Sequence, residues 1–244
     1  MTMQFNMKNM WILGLFLLIS LPCSLEAAWE TLQKGVDHQV ISYQNGHIHL
    51  YRLHLKKIQL DLLDARQYGM NAMSVRDFAV KSNALLVING GFFQEGFAPL
   101  GLMIQKGKQL NPLRRVEWGV FYIEKDLPKI THSRKFEINP DITTALQSGP
   151  RLVIAGTIPS LVPGTRSQRS AIGMTANNEV ILAITQNVLL TLSEWAQIIS
   201  QHCTYALNLD GGGSSQLFQQ LRGQELFIAG ITPVPNAFAV FDRY

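Results

Sequence analysis

Ala84-Leu-Leu-Val-Ile-Asn-Gly-Gly-Phe-Phe93 is a short unbroken apolar run that stops at an asparagine and two glycines. Such a run, without polar alternation, suits a strand buried on both faces. The design returns in Tyr205-Ala-Leu-Asn-Leu-Asp-Gly-Gly-Gly-Ser-Ser215, where the glycines follow Asp210. Two buried strands that open into glycine loops predict a sheet-built core with its polar chemistry at strand ends.

Outward from these runs, Gln39 to Asp64 alternates apolar and polar residues, which predicts strands with Asn45-Gly46 as a hairpin turn. Ser74-Val-Arg-Asp77 predicts a capped helix start, and Thr191-Leu-Ser-Glu194 a capping box for a second helix. Pro99–Ile104, Trp118–Ile123, 129–138, Glu179–Ile184 and Ala237–Phe241 read as further strands, and 141–147 as a helical turn. Gly156 to Gln168, with two prolines and two glycines, reads as a long irregular loop. The expected fold is a single α+β domain, a curved and mostly antiparallel sheet packed with helices.

The chain has 244 residues, 47% of them hydrophobic and 16% charged, a formal charge of +4 and two cysteines. That length supports one compact domain, and two cysteines cannot build a disulfide framework. Lys8 ahead of Trp11–Ile19, closed by Pro22 and Ala27-Ala28, reads as a secretory signal peptide over residues 1–27. The domain would then run from 28 to 244, in an exported protein of the periplasm or the extracellular medium, with no stable membrane span after processing. Removing Lys8 and Glu26 leaves the charge at +4, and the basic residues are scattered, so nucleic acid is not an expected partner. Cys203, next to an apolar helical pattern, reads as a small buried hydrophobe. His47 and His49 share one strand face, which reads as a solvent-facing pair rather than a metal site.

Glycine permits close backbone approach, so the N–H groups of the two loops could converge on an anion or on sugar oxygens. Neither loop has the spacing of a nucleotide-binding motif, and Gly212-Gly-Ser-Ser-Gln216 is not a nucleophile elbow, so Ser214 or Ser215 as an acyl-enzyme nucleophile is the weaker reading. Asp210 is delivered by a buried strand to a loop rich in donors, where it could serve as general acid, general base or ligand anchor. Glu95 is the second carboxylate to consider. Arg169 offers the planar fork that matches phosphate.

Val87-Ile-Asn-Gly-Gly-Phe-Phe93, Ser148-Gly-Pro-Arg-Leu152, Arg169-Ser-Ala-Ile-Gly173 and Asn208-Leu-Asp-Gly-Gly-Gly-Ser-Ser215 occur in the order seen in the phosphodiester glycosidase family, which the chain resembles over about residues 40–243. That family includes the lysosomal uncovering enzyme, which removes N-acetylglucosamine from a phosphodiester on mannose. The resemblance implies hydrolysis of a sugar-1-phosphodiester, a carbohydrate phosphodiester as partner, and an α+β core. It implies Asp210, Arg169 and Asn89 as site residues, and we expect them to be catalytic, with Asp210 in proton transfer, Arg169 and the loop amides on the phosphate, and Asn89 positioning the sugar. Gly90, Gly91, Glu95, Ser148, Gly149, Gly211, Gly212, Gly213, Ser214 and Asn236 are the implied substrate-binding residues. No cofactor is expected, and a divalent metal stays open.

The chain departs from the family pattern after the glycine loop. Leu217 to Ile231 is short where members carry a longer Asn-Pro-Ser-Asp-Gly segment, and Thr232-Pro-Val-Pro-Asn236 stands where they carry Arg-Pro-Val-Ser-Asn. A shortened rim would open the cleft to a polymer such as a phosphodiester-linked envelope or extracellular glycan. The missing arginine favours the alternative, a non-catalytic glycan-binding module of the same fold.

Overall fold

The structure, a computed structural model, describes residues 28–243, so the expected signal peptide over 1–27 lies outside the described residues. The chain opens with β1 (Glu30–Gln33), β2 (Val36–Tyr43), β3 (Gly46–Leu53) and β4 (Ile58–Asp64), and helix α1 (Val75–Ser82) leads into β5 (Leu86–Asn89). Then come β6 (Met103–Gln105), β7 (Lys108–Asn111), β8 (Gly119–Glu124), β9 (Leu127–His132), β10 (Ile142–Ser148) and β11 (Arg151–Val153). After β12 (Ser170–Met174) and β13 (Val180–Gln186), helix α2 (Leu192–Ser200) precedes β14 (Tyr205–Asn208), β15 (Leu217–Leu221), β16 (Gln224–Ile228) and β17 (Asn236–Asp242).

The strands form three antiparallel sheets, ordered β1-β2-β3-β13-β12-β14-β11, β7-β6-β10-β8-β9 and β16-β15-β5-β17-β4. One apolar cluster joins all three, with Tyr51, Leu182 and Leu207 from the first, Phe121 and Leu146 from the second, and Ile88, Leu217 and Phe238 from the third. Helix α2 packs Trp195 and Ile199 on the other face of the first sheet, against Ile48, Leu50 and Ile181. Helix α1 packs Val75 and Phe78 against Val87, Phe218 and Ala237 of the third.

Both helix starts form as the sequence predicts: Ser74 accepts from the Asp77 amide, and Thr191 and Glu194 complete a reciprocal capping box. The α+β expectation gives way to a mostly β fold, with only these two α-helices among the described residues. The lost helix is the turn expected over 141–147, which is strand β10. It is hydrogen-bonded to β6 on one side and β8 on the other, and Ile142-Thr-Thr supplies β-branched residues that a pleated, flanked position favours.

The hairpin between β2 and β3 turns one residue earlier than Asn45-Gly46 predicts. Tyr43 pairs with Gly46, which leaves Gln44 and Asn45 as the turn, with Gln44 at φ 52°. Gly46 is required for another reason: a Cβ there would stand 2.3 Å from the Gln186 carbonyl oxygen, where β3 meets the end of β13.

Candidate active site

The end of β5 and the end of β14 come from different sheets and meet. Asn89 closes β5 with no exposed surface, and its amide nitrogen donates to the Asp210 carbonyl at 2.8 Å. Its amide oxygen accepts from Ser170 Oγ at 2.7 Å and from the Gln216 amide at 3.2 Å. The Asp210 amide in turn donates to the Gly90 carbonyl at 3.1 Å. Both ends of the Asn89 side chain are therefore engaged by protein, and it acts as a tie between the loops.

On the other side of β5, Asn236 at the start of β17 holds the first loop. Its Oδ1 accepts from the Gly91 amide at 2.8 Å and its carbonyl from the Gly90 amide at 3.0 Å. Its Nδ2 is buried without a partner, as are Asn208 Oδ1 and Ser215 Oγ near the second loop. Gly90 is the tightest of these positions, because a Cβ would stand 2.0 Å from Asn236 Oδ1. Gly90→Ala is expected to destabilise the fold by about 3 kcal/mol through the clash and the displaced Asn236 hydrogen bond. A denaturant midpoint that falls at constant slope would show it, and an unchanged midpoint would refute the packing argument.

Four of the loop amides expected to cradle an anion donate to the protein instead. Gly90 and Gly91 donate to Asn236, Gly211 donates to Asp210 Oδ1 at 2.9 Å, and Gly212 donates to the Gln168 carbonyl at 2.8 Å. The glycines instead keep the backbones close. Gly212 sits at φ 62°, a Cβ on Gly211 would lie 2.9 Å from the Gln168 carbonyl, and one on Gly213 would lie 2.9 Å from Thr232 Oγ1.

The charge at this site comes from Arg169, only 9% exposed. Its Nε donates to the Leu190 carbonyl at 2.9 Å and its Nη2 to the Thr165 carbonyl at 2.8 Å, which fixes the plane of the guanidinium. Nη1 lies beside Gly211, 4.0 Å from where a Cβ would stand. Among the described residues no carboxylate forms an ion pair with it, and burial pulls its pKa below the ordinary arginine value. Two carbonyls thus satisfy part of a buried charge that no carboxylate neutralises.

Asp210 precedes Gly211, and its Oδ1 accepts from the Gly211 amide. Burial pushes its pKa above the ordinary value of 3.8, opposed by hydrogen bonds from Ser214 and the Gly211 amide. Ser214 is thus a partner of Asp210, and Ser215 is fully buried, so neither serine is placed as a nucleophile beside a histidine.

The remaining expected site residues divide. Ser148 is fully buried and donates to the Asn208 carbonyl at 2.7 Å, so it braces β14. Gly149, joined to Pro150 by a cis peptide, leaves room for the Trp118 ring, 2.7 Å from where a Cβ would be. Glu95 is exposed on a short turn beyond Phe93, and no hydrogen bond or ion pair joins it to Asp210. Sequence reasoning missed Ser170, Gln216 and the Thr165 and Leu190 carbonyls; only Ser170 lies within a quoted motif.

His49 does not face solvent beside His47. It is buried against His38 at 3.1 Å and Gln186 at 2.8 Å. Among the described residues no group of three or more His, Cys, Asp or Glu side chains is arranged to hold a metal ion, and no helix is long and apolar enough to cross a membrane. Cys203 is buried, and burial pushes its thiol up to about 12.

Three antiparallel sheets that bring two strand-terminal glycine loops together, with one carboxyl and one buried guanidinium next to the second, define the class: a β-rich domain with its buried polar groups gathered at strand ends. The chain belongs to the phosphodiester glycosidase family, whose pattern matches residues 82–241. The zebrafish N-acetylglucosamine-1-phosphodiester alpha-N-acetylglucosaminidase catalytic domain, auto-inhibited by its pro-peptide, shares the fold at a TM-score of 0.68 and 18% identity, over 86% of this chain and 83% of that one. A hypothetical protein from Synechocystis matches at a TM-score of 0.60 and 18% identity, over 86% of this chain and 62% of that one. The uncharacterized protein YigE of Escherichia coli (strain K12) is 30% identical over 122 residues, 45% of this chain and 48% of that protein. The match thus spans about half the length of that curated relative.

Proposed function

We propose that this chain is an exported hydrolase that cleaves a sugar-1-phosphodiester, with residues 28–244 as the working domain and 1–27 as a signal peptide. The observation that carries the reading is that Arg169, a fixed buried cation, and Asp210, a carboxyl of raised pKa, both neighbour Gly211 with no ion pair between them. A phosphodiester repels nucleophiles, and a preorganised cation offsets that charge where it increases as the sugar departs. Arg169 holds the phosphate through Nη1, and protonated Asp210 gives its proton to the bridging oxygen. The bond from C1 of the sugar to that oxygen breaks, water adds to C1 and gives its proton back to the Asp210 carboxylate, and the products are a free sugar and a phosphomonoester. Asn89 and Asn236 position the loops rather than touch the sugar, while Gly211 leaves space in front of the guanidinium.

The second reading is a glycan-binding module, favoured by Thr232, which stands where family members carry an arginine and packs against Gly213. Sugar release from a panel of sugar-1-phosphodiesters, with and without EDTA, separates the two. Turnover is the expected result, with the EDTA arm reading any metal requirement. Binding of the same diesters by folded protein without sugar release would transfer the chain to the binding module.

A further inference from the structure

A second basic site lies at the far end of β14. The cavity there has a volume of about 360 Å³ and is lined by Arg151, Lys135, His132 and Tyr205 with Ile130 and Ile154, and no carboxylate lines it. Neither Arg151 nor Lys135 takes part in an ion pair among the described residues. The nearby acid Glu117 is already held by His132 at 2.9 Å and by Arg134 at 3.0 Å. His132 is fixed from its other ring nitrogen too, which accepts from the Arg134 amide at 3.0 Å. The cavity thus presents two cations that no carboxylate contacts directly, Arg151 feeling Glu117 only through space, and a phenol against two apolar side chains, a combination that suits an oxyanion attached to a larger body.

This cavity is connected to the glycine loops by a continuous series of contacts. Phe92, directly after Gly90-Gly91, packs its ring on Trp118 at 5.5 Å between centroids. Trp118 fills the space that Gly149 leaves, and the next residue, Gly119, leaves the space that the Arg151 stem occupies, its Cγ 3.0 Å from where a Cβ would stand. Arg151 pairs with Leu207 across the β11–β14 ladder. From Tyr205 to Asp210 the backbone covers about 16 Å at roughly 3.3 Å per residue. An aromatic pair between two cationic sites matches a chain in which sugar rings, with their apolar faces, alternate with phosphates.

We propose that the cavity at Arg151 and Lys135 is a second anion subsite, which holds another phosphate of a polymeric glycosyl phosphodiester while the bond beside Asp210 is cleaved. The inference rests on the hydrolase reading for the identity of the polymer, but the anion site stands on the cavity alone. Two measurements test it on the full chain with Arg151→Ala/Lys135→Ala, whose altered side chains line the cavity, once circular dichroism has confirmed that the variant is folded.

Titration with inorganic phosphate, followed by amide NMR, is expected to shift residues 151–154 and 205 in the wild type and to require at least about tenfold more phosphate in the variant. Shifts that are absent there, or unchanged in the variant, would overturn the site. With substrates, kcat/KM for an oligomer of several sugar-phosphate repeats is expected to fall about tenfold in the variant while that for a single small diester is unchanged. Equal effects on both would overturn the polymer subsite. Should no diester be hydrolysed at all, the hydrolase reading fails, and the phosphate titration still decides the cavity.

Discussion

Asp210→Asn is expected to abolish sugar release, with kcat at least about a hundredfold lower, while making the folded protein more stable at neutral pH. The first effect follows from the loss of the transferable proton, since positioned acid or base groups contribute about 10²–10⁴ in rate. The amide can still accept from Gly211 and can donate to Ser214, so the loop geometry survives the change.

The stability effect has a definite sign. Burial raises the folded pKa of Asp210 above the ordinary 3.8, so between the two values the folded state binds more protons than the unfolded one. Folding stability then falls as pH rises from about 4 through the raised value, because a charge must be kept in a poorly solvated site. Asparagine removes that cost. Thermal unfolding of both proteins across pH 3–8 should show the variant more stable at neutral pH and the two equal near pH 3. A difference that did not change with pH would refute burial as the cause, and retained turnover would remove Asp210 from the chemistry.

The opposed demands on Asp210 explain how the site could be partly read from sequence. A carboxylate delivered by a buried strand into a glycine loop violates the local preference for apolar or solvated positions, and such violations gather at functional sites. Strands β5 and β14 were legible because apolar runs ending in glycine are local signals, as are the caps at Ser74 and Thr191. Strand β10 was not, because Thr143-Thr144-Ala145 becomes a strand only between β6 and β8, both distant in sequence.

The use of the loop amides was equally hidden. That Asn89 meets Ser170 and Gln216, 81 and 127 residues away, depends on two sheets converging. A run of glycines announces close approach but does not say what approaches. Here it is the Asn236 side chain and the Gln168 carbonyl, not an anion.

With four of the loop amides engaged, the proposed hydrolase mechanism leaves most of the charge neutralisation to Arg169, and its substitution is the second large effect. Arg169→Lys keeps a cation but loses the planar fork that donates to Leu190 and Thr165 while leaving Nη1 beside Gly211. Turnover of a sugar-1-phosphodiester is expected to fall about 10²–10³-fold, the range for removing one preorganised donor at a developing anion. Arg169→Ala should fall further and also leave two carbonyls without their donor, which lowers the unfolding temperature.

Added guanidinium ion is expected to restore part of the alanine variant's activity at concentrations too low to denature it, because the vacated space fits that cation. Rescue by guanidinium but not by ammonium, measured as sugar release, would place the planar cation on the phosphate. Equal recovery with both ions, or lysine activity equal to wild type, would reduce Arg169 to a structural clamp for the 165–169 segment. A clamp alone would leave its buried charge without a purpose, because holding two carbonyls does not require a cation and burying one carries a desolvation cost.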